Sequence, residues 1–285
     1  MRLGIAAFLT DTSMTPADLA LGVEERGFSS LYLPEHTHLP ARADEPPSLV
    51  GGVTSEDYKR GLDPYIALAT AAGVTKRLRL GTGVSLVAQH DPIVLAKQIA
   101  TLDHLSGGRF VFGIGFGWNR AELADHGVSF SERREVAREK VLCMQALWSH
   151  DRAEFKGRYV DVPPTWAWPK PVQQPRVKTL VGAGANESTF SAIAEYADGW
   201  IPIGGAGIAS TVPKLRTIFE DHGRDPSMLE VVAFGTIPSP EKLDHLAGAG
   251  CTEVALRVPS GDSSAMLRTL DGYAPYVERV SSGAG

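Results

Sequence analysis

Eight times along this chain an apolar run of strand length is followed by a segment of helix length, and the order never breaks. Strands are expected at 3–8, 29–34, 78–84, 109–115, 178–182, 199–203, 229–235 and 252–257. Helices are expected at 15–26, 64–75, 92–106, 131–149, 187–197, 209–222, 239–249 and 263–277. Such alternation predicts parallel strands joined by right-handed helical crossovers. Eight units predict one closed (β/α)8 barrel, an α/β fold, with a doubly wound sheet as the alternative. At 285 residues the chain has a length common for a single barrel. The barrel is expected over 1–280 without an internal domain break, and 281–285 reads as a frayed tail.

The segment 78–119 shows the unit most plainly. Leu78-Arg79-Leu80-Gly81-Thr82-Gly83-Val84 is a short apolar strand. Asp91 and Pro92 open a helix as N-cap and first helical residue, and Leu95, Ile99 and Leu102 give that helix one apolar face. Gly107-Gly108 ends it, and Arg109-Phe110-Val111-Phe112-Gly113-Ile114-Gly115 is the next strand, with Phe116-Gly117-Trp118-Asn119 beyond its end. In parallel sheets and barrels ligands bind at the carboxyl ends of strands, so these glycine-flanked ends mark the functional face.

A net charge of −5 and the lack of a basic run argue against nucleic acid as a partner. No apolar run reaches the roughly 18 residues that a membrane span needs, and the N-terminus has no signal-peptide pattern. Cys143 and Cys251 make neither a disulfide framework nor a zinc site, and Cys143 lies in a helical pattern as a buried thiol. These features describe a soluble cytoplasmic protein acting on a small molecule.

Two connections, 37–62 and 151–177, exceed the roughly 12–15 residues usual for structureless loops. The first carries Pro40, Pro46, Pro47, Gly51 and Gly52; the second begins with a hairpin pattern at 154–160 and continues through five prolines, Trp166 and Trp168. Both are placed to cover the barrel mouth.

Glu35-His36-Thr37-His38 follows the second strand, where barrel enzymes carry catalytic groups. His36 is a candidate general acid or base; the plainer alternative is a surface histidine capping the loop. A metal role for His36 and His38 is the weaker reading, since no third ligand stands out. Gly182-Ala183-Gly184-Ala185-Asn186 joins strand to helix, either as an anion-holding turn or as a tight turn with Asn186 as N-cap. The turn 203–207 is a second possible anion site or a flexible loop. Arg109, Asp103 and His104 fall at the opposite end and read as structural, and the stripe Ala137, Val141, Met144 and Trp148 reads as core.

With these pieces in place, the chain resembles the bacterial luciferase-like superfamily of flavin and deazaflavin barrels, in particular the branch assigned to coenzyme F420. The carriers are Glu35-His36, Leu80-Gly81-Thr82-Gly83-Val84, the run 101–109, Gly113-Ile114-Gly115-Phe116-Gly117-Trp118-Asn119 with Glu122, Gly157-Arg158-Tyr159, Gly182-Ala183-Gly184 and Ala197-Asp198-Gly199-Trp200. Their order and spacing together, over nearly the whole chain, carry the likeness. The resemblance implies a catalytic, proton-handling His36 with Glu35 near the ring. It implies a non-prolyl cis peptide at Gly83-Val84 backing the deazaflavin, contacts from Trp118 and Asn119, and a tail phosphate against Gly182, Ala183, Gly184 and Ala185. It also implies a homodimer through helices beside strands two and three.

There are departures from the pattern. The sugar-phosphate dehydrogenase of the group has an acid where this chain has Trp118, which speaks against glucose 6-phosphate as substrate. Many flavin mononucleotide (FMN) members have an arginine where this chain has Phe116, which favours the phosphodiester tail of F420, although Arg120 can reach the same region. The leading expectation is therefore an oxidoreductase moving a hydride between F420 and a small organic substrate. The alternatives are an FMN-dependent monooxygenase and a non-catalytic flavin-binding protein.

Overall fold

The computed structural model describes residues 1–41, 55–205 and 207–282. Eight strands close into one parallel barrel in the order β1-β10-β9-β8-β7-β4-β3-β2, which removes the doubly wound alternative. These strands are β1 (Arg2–Ala7), β2 (Ser30–Leu33), β3 (Arg79–Thr82), β4 (Phe110–Ile114), β7 (Thr179–Val181), β8 (Gly199–Trp200), β9 (Glu230–Thr236) and β10 (Glu253–Val258). The remaining pair, β5 (Arg152–Lys156) and β6 (Asp161–Trp166), forms a separate antiparallel hairpin, wider than the expected 154–160.

The helices expected from the sequence are all present: α1 (Pro16–Glu25), α3 (Pro64–Val74), α4 (Pro92–Ser106), α6 (Arg133–Ser149), α7 (Glu187–Tyr196), α8 (Ile208–Asp221), α9 (Pro240–Gly248) and α10 (Ser263–Ser281). The last runs into the expected tail, of which 283–285 lie outside the described residues. Two short helices are additional, α2 (Ser55–Arg60) and α5 (Arg120–Asp125). Capping follows the sequence: Asp91 accepts from the amides of Ile93 and Val94, and Gly107, at φ 65°, closes α4.

The barrel interior is filled by Ala6, Tyr32, Val111, Leu180, Ile201, Val232 and Ala255, while a larger apolar layer joins strands to helices. The bottom is closed by charge. Glu253 is fully buried and meets Arg79 at 2.8 Å, Arg2 and Ser30; Arg79 also holds Glu230 at 2.9 Å. Arg109 is structural as expected, donating to the carbonyls of Ala72, Thr75, Leu78 and Ser106. Both thiols are buried and pushed up to about 11 by that burial. Among the described residues no helix is long and apolar enough to cross a membrane.

The two long connections part company. α2 in the first brings Asp57 and Tyr58 to the mouth; Pro46, Pro47, Gly51 and Gly52 lie outside the described residues. The second does not cover the mouth. Asp103 accepts from both the backbone and side-chain amides of Gln173, His104 holds the carbonyl of Lys170, and the Lys170 ammonium returns to Leu147 and His150 at the end of α6. Glu139 of α6 takes the amides of Arg158, Tyr159 and Val160. These bonds strap the segment along the outside of α4 and α6.

Candidate active site

At the carboxyl ends of the barrel strands lies a cavity of about 400 Å3. His36 lines it, just past β2. Asn119 builds the support for that histidine: its side chain accepts from the amides of Ala121 and Glu122 at 3.0 and 3.1 Å, starting α5. α5 then presents Glu122, almost wholly buried, whose Oε2 lies 2.8 Å from His36 Nδ1. Glu122 Oε1 takes the amide of Thr37 at 3.1 Å. With the carboxylate ionised, Nδ1–H donates to it and Nε2 is left for a ligand. The imidazole is enclosed edge-on by Tyr58 at 4.9 Å and Trp118 at 5.6 Å between centroids, and Tyr58 meets Phe8 at 5.2 Å.

Glu35 also borders the cavity, but both its oxygens are engaged. Oε2 accepts from the Leu86 amide at 2.6 Å and the Ser85 hydroxyl at 2.9 Å, and Oε1 meets His90 Nε2 at 2.8 Å. Burial opposes its charge, yet the bonds from His90, Leu86 and Ser85 hold its carboxyl below the ordinary value. Its bonds make it a clamp on the segment after β3, whereas the sequence placed Glu35 beside His36 among the catalytic residues, near the ring. That segment contains the Gly83-Val84 peptide, which is cis as the resemblance implies. A Cβ on Gly115 or Gly182 would fall 2.3 or 2.4 Å from a Val84 methyl, so two glycines make room for this one side chain. Val84 and Phe234 give the cavity an apolar wall above the barrel interior.

The edge beyond β4 is cationic, which the sequence reading missed. Arg134 lies over the Phe116 ring at 4.1 Å, and Arg133 and Arg120 lie over Phe130 at 3.6 and 3.8 Å. Arg133 and Arg134 line the cavity, and Arg133 Nε and Arg134 Nη1 are buried donors without a partner. Burial lowers both from the usual arginine range. A signal was available: two arginines open α6, where the helix dipole disfavours cations.

Trp118, Gly83, Val84, Gly182 and Ala183 line the cavity as expected. Asn119 does not: it is a buried cap. Gly184 and Ala185 are exposed and outside the lining, and Asn186 takes the Thr189 amide at 3.0 Å as the N-cap of α7. His38 lies outside the lining as well, with Nε2 3.2 Å from Asp125. In the turn 203–207, Ile203 reaches the cavity, and Ala206 is outside the described residues. Among the described residues no group of three His, Cys, Asp or Glu side chains is arranged to hold a metal ion.

The model of a family described as luciferase-like monooxygenase matches residues 14–242. The chain is 44% identical over 285 residues to the uncharacterized protein Rv0953c of Mycobacterium tuberculosis, covering 99% of this chain and 98% of that protein. It is 32% identical over 226 residues to the F420-dependent glucose-6-phosphate dehydrogenase of Kineococcus radiotolerans, 75% of this chain and 60% of that enzyme. Among solved structures, an F420-dependent secondary alcohol dehydrogenase in complex with an F420–acetone adduct superposes with a TM-score of 0.74 at 18% identity, over 97% of this chain and 99% of that one. The last likeness is one of fold.

Proposed function

The chain belongs to the luciferase-like monooxygenase family, and from that premise we propose that it is an oxidoreductase moving a hydride between coenzyme F420 and a small organic substrate. The observation that carries this reading is His36, oriented by buried Glu122 and facing a cavity with an apolar wall. When bound, a deazaflavin supplies the two-electron hydride chemistry. The residues present fit such a group. Val84 and Phe234 offer an apolar surface to a flat ring, and the unpartnered donors of Arg133 and Arg134 suit a phosphate. His36 Nε2 gives or takes the proton that accompanies hydride transfer to a carbonyl or alcohol, with Glu122 balancing the charge on the imidazolium. Tyr58 and Trp118 flank the imidazole, with Phe8 packed on Tyr58. Support for the deazaflavin comes from Phe116, from the 32% identical F420-dependent relative, and from the order of the sequence motifs. Trp118 at the mouth remains a reason to look beyond sugar phosphates.

A second reading, an FMN-dependent monooxygenase, is favoured by one observation. Arg134, over Phe116, and Arg133, which also lines the cavity, supply cations that a dianionic phosphate needs. Anaerobic titration with F420 and with FMN decides between them: the lower dissociation constant for F420 is expected, and the reverse order transfers the assignment to FMN.

A further inference from the structure

Arg257 stands near the end of β10, in register with Ala6 of β1. Ala6 and Ala255 face the barrel interior. The two-residue period of the strand turns Arg257 inward as well, and it lines the cavity. The Tyr273 hydroxyl holds its backbone carbonyl at 3.1 Å, but its Nε is a buried donor with no partner, and among the described residues it forms no ion pair. The cavity it lines has apolar walls, Phe8, Val84, Phe234 and Val258 among them, and the carboxylates of Glu35 and Asp57 are also in the lining, neither bridged to Arg257. A cation with a buried, unpartnered donor and no ion pair is costly, and at the wall of a cavity a ligand offsets that cost.

Its position says which ligand. Going round the barrel in either direction, β10 is four strands from β4, so the two are diametrically opposed. The Arg133 and Arg134 edge lies just beyond β4, by Phe116. One cavity thus has cations at two opposite sides. β2, which carries His36, stands two strands from each. A ligand phosphate at Arg134 leaves Arg257 for a different molecule.

We propose that Arg257 receives the anionic head of the substrate, a single carboxylate or equivalent oxyanion on a small molecule. The apolar body of that molecule would lie against Phe8, Tyr58 and Trp118, within reach of His36. The planar guanidinium suits a carboxylate bidentately, and the aromatic wall suits a hydrocarbon or ring. This assignment rests on the reading that the Arg134 edge takes the cofactor phosphate.

The test is calorimetric binding of 3-phenylpropanoate, its neutral primary amide, and 2-phenylethyl phosphate. The proteins are the wild type, Arg257→Gln, Arg257→Lys and Arg134→Gln, each with and without F420. The wild type is expected to favour the acid over the amide by about tenfold or more, in line with charge-assisted hydrogen bonds. Arg257→Gln should remove that preference and leave amide affinity unchanged, Arg257→Lys should keep part of it, and Arg134→Gln should keep it in full. A phosphate preference lost in Arg257→Gln keeps the site and changes only its anion. Equal binding of acid and amide by the wild type, no saturable binding of either anion, or a preference lost in Arg134→Gln instead would overturn the proposal. A protein that discriminates the probes without binding F420 keeps Arg257 and removes the cofactor reading; the opposite result removes Arg257 alone.

Discussion

His36 Nδ1 and Glu122 Oε2 are 2.8 Å apart across 86 residues of sequence. The carboxylate fixes the ring and its tautomer, so the pair acts as one unit. His36→Ala should lower turnover by about 10²–10⁴-fold with F420 affinity nearly unchanged. Glu122→Gln keeps a hydrogen bond but not the charge, and should lower turnover by about 10–100-fold. His38→Ala, outside the cavity, should do much less. Steady-state kinetics on the three variants checks this; a larger loss in His38→Ala than in His36→Ala would remove the assignment.

Glu35 and His90 form a second carboxylate–imidazole pair, 2.8 Å apart. Replacing Glu35 by Gln weakens the acceptor for Leu86, Ser85 and His90 and should destabilise the fold by about 1–3 kcal/mol at neutral pH. The sign with pH follows from the lowered carboxyl value. A group whose folded pKa is depressed contributes stability that is present above its unfolded value and lost as pH falls through the folded one. The gap between wild type and Glu35→Gln should therefore narrow as the pH falls below 4.5. Urea unfolding across that range measures it, and a gap that widens in acid contradicts the bonding described.

Long-range relationships of this kind set the limit on what the sequence could disclose. Each barrel strand and large helix is encoded locally, by apolar runs, period and caps such as Asp91, and these matched the fold closely. α2 and α5 were missed because six residues are too few to show a helical period. Even so, Asn119 followed three residues later by Glu122 is a helix-start pattern. What no local pattern encodes is that Glu122 points at His36, that Arg134 lies on Phe116, or that Asp103 draws in the 151–177 segment. Asn119 illustrates the cost: its place after β4 suggested a ligand contact, while its side chain is engaged in starting the helix that positions Glu122.

Gly182 tests the wall of the cavity. A Cβ there would stand 2.4 Å from a Val84 methyl and force that side chain toward the ligand space. Overpacking of this sort costs about 1–3 kcal/mol. Gly182→Ala should therefore weaken cofactor binding by roughly tenfold or more. Gly184→Ala, whose added carbon meets nothing within 4 Å, should bind as the wild type does. Fluorescence titration of both variants is the check, and equal losses would place the effect elsewhere.

Assembly is a separate expectation. Ile66 of α3 and Ile93 and Val94 of α4 are 68%, 48% and 56% exposed on neighbouring helices. That face suits the homodimer the resemblance implies. Light scattering at micromolar concentration should give twice the chain mass, and Ile66→Asp with Val94→Asp should shift it toward monomer. A wild-type monomer rejects the dimer.

Arg134 and Phe116 pull the cofactor assignment in opposite directions. Phe116 takes the place of an arginine that would contact a dianionic phosphate. Arg134 then lays its guanidinium over that ring, with Nη1 buried and unpartnered. A hydrogen bond to a charged group contributes about 1.5–3 kcal/mol. Arg134→Gln should thus raise the dissociation constant of either cofactor by roughly ten- to a hundredfold. The proportion differs between the two. A terminal phosphate monoester carries up to two charges and the F420 phosphodiester one, so the loss should be the greater for FMN, and its salt dependence steeper. If F420 is the native cofactor, the wild type binds it more tightly and Arg134→Gln widens that preference. If Arg134 serves a monoester, the wild type prefers FMN and the variant narrows or reverses the order. Anaerobic titrations of both proteins with both cofactors at two salt concentrations distinguish these outcomes. No change in either constant would remove Arg134 from the phosphate site.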